Sequence, residues 1–194
     1  AGLKKPYAEQ AAIPKQNTFL ATSKDGLHFT IEREPLCESY FKSFSYRREL
    51  YGVGKGAPNR ARQVYKTNRG RVPFVKGPYF FEGGRHNAVY RDGSVLYVFF
   101  TRKFDVPERI LYGKIDISNE DWTKWNRLDK EVKLLMVPET EYEGANEPFR
   151  EPNPGCVRRK VRQLRDPAIY EENGQIYLLY SLAGEYGIGL ARLK

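Results

Sequence analysis

The residues of this sequence that could do chemistry fall into a few short constellations. Arg165-Asp166-Pro167 sets a carboxylate between a cation and a proline. An adjacent cation favours the ionised form of a carboxylate, but Asp before Pro is also an ordinary turn opener. Arg85-His86-Asn87 carries one of only two histidines, the other being His28; a satisfied structural histidine is its plain reading. Asp105, Glu108 and Arg109 share one connecting segment, which reads either as a loop with an internal ion pair or as a ligand contact. Glu143 lies among Glu139, Glu141, Glu147 and Glu151, a pattern that first suggests a solvated acidic loop. Glu185 follows Gly184 at the end of an apolar run.

Other chemistries are excluded. Cys37 and Cys156 give no metal-ligand spacing, and no metal or cofactor is expected. Two histidines provide no Ser-His-Asp arrangement. Gly52-x-Gly54-x-Gly56 follows a strand-like run with no helix after it, so it fails as a phosphate cradle.

The elements that must position these residues are strands. Short aromatic and β-branched runs alternate with turn signals. Asn17–Thr22 and His28–Arg33 flank Lys24-Asp25-Gly26. Tyr40–Tyr46 pairs with Glu49–Val53, and Gln63–Thr67 with Val72–Val75 around Asn68-Arg69-Gly70. Asn87–Arg91 and Val95–Thr101 flank Asp92-Gly93, a hairpin signal. Ile110–Asp116 follows. Ala168–Glu171 and Gln175–Ser181 flank Asn173-Gly174, and Ile188–Leu193 comes last. The segment Pro138–Leu164 has no strand character and exceeds an ordinary connector.

A repeat organises the strands. Arg85-His86-Asn87-Ala88-Val89-Tyr90 and Arg165-Asp166-Pro167-Ala168-Ile169-Tyr170 each lead through a turn into an apolar strand, and a fainter copy starts at Tyr40. Repeated antiparallel units predict an all-β fold, a partial five-bladed β-propeller of about three and a half blades of four-stranded antiparallel sheet. The expected division is 17–35 as the end of a blade, 37–82 and 83–137 as blades, 138–164 as a long loop and 165–194 as the last blade. The sequence opens at Ala1 without a basic, then apolar leader. The expectation is the C-terminal portion of a larger propeller, with a missing N-terminal half or a second chain closing the ring.

Composition agrees with one domain. Of 194 residues 40% are hydrophobic and 14% aromatic, so a core is available. Mean hydropathy is −0.66, and no apolar run is long enough to span a membrane. Net charge is +9. Ten basic residues lie between Lys42 and Lys76, against the one acid Glu49, so that stretch carries the whole excess. It reads as a solvated face before it reads as a polyanion patch, and nucleic acid is not the expected partner.

The last repeat resembles the blade openings of the five-bladed β-propeller glycoside hydrolases: arabinanases, β-xylosidases and related fructan-cleaving enzymes. Matching pieces recur in order from about Thr18 to Leu193, in a pattern similar to a poorly characterised branch of that superfamily. They are Ala21-Thr22-Ser23-x-Asp25-Gly26-x-x-Phe29, Asp105-Val106-Pro107-Glu108-Arg109-Ile110, Asp121-Trp122-x-x-Trp125, Tyr142-Glu143-Gly144-Ala145 and Ala183-Gly184-Glu185-x-Gly187-Ile188. The resemblance implies an axial pocket for carbohydrate. Asp166 becomes a pocket carboxylate, and Arg165 holds a sugar hydroxyl or tunes it. Glu143 is the nearest match to the family's general acid, although Ala145 stands where the family has Pro. Arg85, His86, Asp105, Glu108, Arg109 and Glu185 become candidate substrate contacts.

Glycosidic cleavage uses two carboxyl groups, the acid with a raised pKa. The equivalent blade start at Arg85-His86-Asn87 has His86 in place of a carboxylate, Ser39-Tyr40-Phe41 offers none either, and the family's base lies in a first blade that this chain is expected to lack. Asp166 is then the supporting carboxylate. The expected function is a glycoside hydrolase-like protein that binds a glycan axially and cleaves it with paired carboxylates. A non-catalytic carbohydrate-binding propeller, or polyanion binding through 42–76, remains the alternative.

Overall fold

The computed structural model describes residues 16–56, 60–68, 71–150, 157 and 159–193. Arg69 and Gly70 of one expected turn, Cys156, and 151–156 and 158 of the long segment lie outside them. Four antiparallel sheets follow one another along the chain. The first is a hairpin of β1 (Asn17–Ser23) and β2 (Phe29–Glu38). The second contains β3 (Lys42–Tyr46), β4 (Glu49–Lys55), β5 (Arg62–Asn68) and β6 (Arg71–Phe80) in sequential order.

The third runs through β7 (Gly84–Asp92), β8 (Val95–Arg102) and β9 (Ile110–Asp116), with β10 (Asn126–Arg127) and β11 (Lys133–Met136) both pairing with β9. The fourth holds β12 (Arg165–Glu172), β13 (Gln175–Leu182) and β14 (Gly187–Leu193). This is a partial β-propeller, three and a half blades in sequential meanders. Among the described residues no helix is long and apolar enough to cross a membrane.

The hairpins form where the turn chemistry demands. Asn173 and Gly174 both take positive φ (50° and 71°), the geometry of a two-residue turn whose twist matches the strands. The loop from Ser23 to His28 is held by Asp25, whose Oδ1 accepts the Leu27 and His28 amides at 2.9 and 2.8 Å. Gly52 lies inside β4 because the Phe41 ring occupies the place of a side chain. A Cβ there would sit 2.2 Å from that ring.

Cores form between adjacent sheets. Phe44, Tyr51, Val53 and Val64 of the second sheet pack on Phe81, Leu96, Val98, Phe100, Ile115 and Trp125. The Trp125 ring packs at a tilt against Tyr51, with centroids 4.8 Å apart, and donates its Nε1–H to the Asn119 carbonyl at 3.0 Å, so it anchors the outer edge of its blade. Ile110, Leu164, Leu178 and Tyr180 join the third sheet to the fourth, and Leu36, Cys37, Tyr65 and Phe74 join the hairpin to the second.

The structure extends two strands beyond expectation, β2 from Arg33 to Glu38 and β6 from Val75 to Phe80, and it shifts the starts of the inner strands. β7 and β12 begin earlier than the hydrophobic alternation indicates, and β3 begins later. Register shifts fall between Arg85 and Asn87 and between Arg165 and Ala168. The strands bulge there because His86 and Asp166 adopt left-handed backbone, with φ of 43° and 47°. Tyr40, with φ of 60°, interrupts the run before β3 in the same way. The short β10 and β11 carry too little alternation to be foreseen. The segment after residue 138 contains only one 3-10 turn, Glu141–Glu143, among its described residues.

Candidate functional site

Three left-handed residues occupy equivalent places at the starts of successive inner strands, and they meet. The Tyr40 ring sits edge-on to His86, with centroids 5.2 Å apart. His86 Nε2 lies 3.3 Å from Asp166 Oδ1. Left-handed backbone costs a non-glycine residue roughly 1–2 kcal/mol, and such strain persists where the surroundings impose it. Here it turns three side chains toward one another. Asp166 is the accessible member, its side chain 45% exposed while His86 is only 9% exposed. Ser181 Oγ donates to Asp166 Oδ2 at 3.3 Å.

A buried ionic layer supports this trio. Glu108 is fully buried. Its Oε2 lies 3.0 Å from Arg165 Nε and 3.5 Å from Arg85 Nη1, and its Oε1 accepts the Thr101 hydroxyl at 2.6 Å. Arg165 also reaches Glu185 Oε1 at 3.0 Å. A third buried guanidinium, Arg62, donates to Asn87 Oδ1 and the Arg60 carbonyl, both at 2.9 Å. Buried charges persist only when paired and hydrogen-bonded.

These surroundings set the protonation states. Burial first, then Arg85, Arg165 and Arg62, lower His86 from 6.5 to about 3, so the ring is neutral. Burial, reinforced by Glu185, raises Asp166 above the ordinary carboxylate value. Burial also raises Glu108, against the pull of Arg85, Arg165 and the Thr101 hydroxyl.

Several expected contacts take a different place. Glu108, Arg165 and Arg85 were expected to touch substrate. The first two are fully buried and Arg85 is 5% exposed. Their charges are spent on one another. Asp105 and Arg109 form an ion pair at 3.0 Å, with Arg109 partly exposed. Glu185 keeps a solvent-facing position on the rim, bound to Arg165.

Glu143 was expected to be a general acid, which needs a raised pKa, and its environment does the opposite. Burial pushes its carboxyl up, but hydrogen bonds from the Glu139 amide, Tyr180 and Thr140 outweigh that and lower it. Its Oε1 accepts Tyr180 Oη at 2.7 Å. Its Oε2 accepts the Glu139 amide at 3.0 Å, the Thr140 amide at 3.1 Å and the Thr140 hydroxyl at 3.0 Å. Glu143 staples the 3-10 turn to β13.

Sequence reasoning missed Tyr40, Thr101, Arg62 and Asn87. Tyr40 was signalled by the faint third copy of the repeat. The others had no local signal, because their partners are distant in sequence. Among the bases of 42–76, Arg69 and the side chain of Arg71 lie outside the described residues. Arg62 is buried, and Lys66 and Lys76 pair with Glu49 and Glu38, each at 3.5 Å. Among the described residues no group of His, Cys, Asp or Glu is placed to hold a metal ion.

Comparison with known proteins agrees with this architecture. No family model matches the sequence. An uncharacterized protein of Acanthamoeba polyphaga mimivirus is 34% identical over 197 residues, covering 93% of this chain and 55% of the relative. The chain thus spans about half the length of that relative. Among solved structures, the α-L-arabinanase of Cellvibrio cellulosa in complex with arabinohexaose superposes with a TM-score of 0.57 at 13% identity. The match covers 95% of this chain and 68% of the arabinanase. A thermostable family-43 glycoside hydrolase gives a TM-score of 0.54 at 12% identity, over 91% of this chain and 62% of that one. The fold is that of the propeller glycoside hydrolases.

Proposed function

We propose that this chain forms part of a carbohydrate-binding propeller whose pocket lies at the meeting point of Tyr40, His86 and Asp166, and that the whole protein hydrolyses a glycosidic bond. The observation that carries this is the repetition of one strained backbone geometry at three blade starts, which presents an aromatic ring, an imidazole and a carboxyl together. A sugar needs an apolar face and a few oriented polar groups, and this trio supplies both. Asp166 is the reacting carboxyl, because it is the accessible one with a raised pKa. Glu185 and the Asp105–Arg109 pair are rim contacts. Arg85, Arg165 and Glu108 hold the trio in place, and Glu143 positions the last blade. The fold shared with an arabinanase supports a glycan ligand, and the branch within the propeller hydrolases is the poorly characterised one.

The test is saccharide binding and turnover in the full-length protein, with Asp166→Asn and Tyr40→Ala beside it. Loss of turnover in the first and of binding in the second is expected. Unchanged hydrolysis and binding in Asp166→Asn would overturn the reading. Binding without turnover in the wild type would leave the non-catalytic alternative, which the absence of carboxylates at Tyr40 and His86 favours.

A further inference from the structure

We propose that a second ligand site lies outside the axial pocket, in a cleft between the second and third sheets, and that it takes a uronic acid unit of an acidic glycan. The cleft has a volume of about 580 Å³, within the range of small-ligand sites. Tyr79 at the end of β6, with Phe81 and Glu82 of the β6–β7 connection, forms one wall. The other wall is Arg102 at the end of β8, Arg127 of β10, and Lys130 and Glu131 of the loop before β11.

The argument rests on what holds the cations. Arg102 lies over the Phe100 ring, its guanidinium carbon 5.9 Å from the centroid, and its Nε is buried without a hydrogen-bond partner. Arg127 lies over the Phe81 ring at 5.2 Å and donates from Nη2 to the Lys130 carbonyl. Phe81 in turn stacks on Phe100, with centroids 5.4 Å apart and planes at 18°. One pair of stacked rings thus positions both guanidiniums. Among the described residues neither they nor Lys130 is paired with a carboxylate. The arginines beneath the axial trio differ, since Arg85 and Arg165 are spent on Glu108. Rings and a carbonyl orient a guanidinium but leave its charge in place. The cleft therefore keeps planar donor forks, the geometry that matches a carboxylate, for an anion from outside.

The rest of the lining narrows the class of anion. Glu82 and Glu131 are exposed in the same cleft. A phosphodiester backbone presents acceptors and negative charge to these carboxylates, whereas sugar hydroxyls donate to them. Tyr79 is 50% exposed and offers a flat face to the apolar side of a sugar ring. A uronic acid brings a carboxylate for the arginines, hydroxyls for the glutamates and a ring face for Tyr79.

The cleft is also close to the axial site in the chain. Arg102 follows Thr101, whose hydroxyl donates to Glu108 beneath the trio, and it pairs across to Gly84, two residues before His86. Alternation sends Thr101 and Arg102 to opposite faces of the sheet. The cleft therefore lies at the same end of the blade as the trio, on the other face. The inference rests on the axial reading only for the choice of a glycan over another carboxylate.

The test is calorimetric binding of oligogalacturonate to the full-length protein, beside the same oligosaccharide with its carboxyls reduced to alcohols. Binding of the acid form alone is expected, weakened by added salt. Arg102→Gln and Arg127→Gln should each weaken it about tenfold, through loss of a charge-assisted hydrogen bond. Lys130 is exposed, so Lys130→Gln serves the same purpose should Arg102→Gln not fold. No binding of the acid form, equal binding of the reduced form, or undiminished binding in folded Arg127→Gln overturns the proposal. Tighter binding of inorganic phosphate or single-stranded RNA at these residues overturns it too. So does acid binding that vanishes in Tyr40→Ala but survives Arg127→Gln, because the axial pocket would then be its site. Oligogalacturonate binding lost in Arg127→Gln and kept in Tyr40→Ala supports the cleft whatever the axial pocket does, so the two readings fail separately.

Discussion

The acid–base character of the axial residues follows from what surrounds each one, not from what it is. His86 is neutral in the folded chain down to about 3, while an unfolded histidine takes up its proton near 6.5. Between those values the unfolded state binds the extra proton, so this residue makes stability fall as pH drops from about 6.5 toward 3. Asp166 acts in the opposite sense, since its raised value lets the folded state hold a proton longer. Urea unfolding at several pH values should therefore show a flatter acid slope in His86→Asn than in the wild type. Glu143 offers a second check. Glu143→Ala strands the buried Tyr180 hydroxyl and two amides, and orphaned buried polar groups cost about 1–3 kcal/mol each. A loss of about 3 kcal/mol is expected, with Tyr180→Phe losing only about 1 kcal/mol. Equal losses would show that the carboxylate does not hold the turn. The Asp166, His86 and Arg pattern was visible from residue types alone. The burial of Glu108 and Arg165 was not, because hydropathy marks both as surface residues and only a partner across three strands permits the reverse.

At the scale of elements, alternation and turn chemistry placed most strands, because a half-buried strand must alternate and a tight hairpin needs residues that accept positive φ. What alternation could not show is the bulge at Arg85–Asn87 and at Arg165–Ala168, since a bulge shifts register without altering composition. The 3-10 turn after Thr140 depends on Gly144, whose φ is 85° and whose added Cβ would lie 2.7 Å from the Val161 carbonyl oxygen. Gly144→Ala is expected to cost about 2 kcal/mol through both left-handed strain and the clash. The loss should appear as faster amide exchange of 161–164 and 183, whose backbone bonds include Val161 N to Ala183 O at 3.2 Å and Ala183 N to Glu143 O at 3.2 Å. Exchange unchanged there would mean that the turn does not brace the last sheet.

At the scale of the whole chain, two apolar sheet faces stay uncovered among the described residues. On β14, Ile188 is 77% exposed and Leu190 64%. On β2, Phe29 is 59% exposed and Ile31 65%. In each strand the two residues are spaced by two and so share one face, the kind of face that elsewhere in this fold meets a neighbouring sheet. Such patches invite association, and among the described residues β14 is the edge strand of its sheet. Ile188→Thr combined with Leu190→Thr should therefore reduce concentration-dependent association of this chain in sedimentation, with circular dichroism unchanged. Association persisting undiminished would place the sticky surface elsewhere.

By itself the sequence determined the all-β class, the repeat of the blades and the candidate residues Asp166 and His86. Those depend on periodicity, turn residues and motif order, which are local and leave a mark in neighbouring positions. Only the tertiary structure decided that Tyr40 joins them, that Glu108 and two arginines lie buried beneath them as an ionic layer, and that Glu143 is buried and bound to Thr140 and Tyr180. Burial and pairing are properties of residues brought together from different sheets, and a carboxylate takes its role from the donors and charges that enclose it.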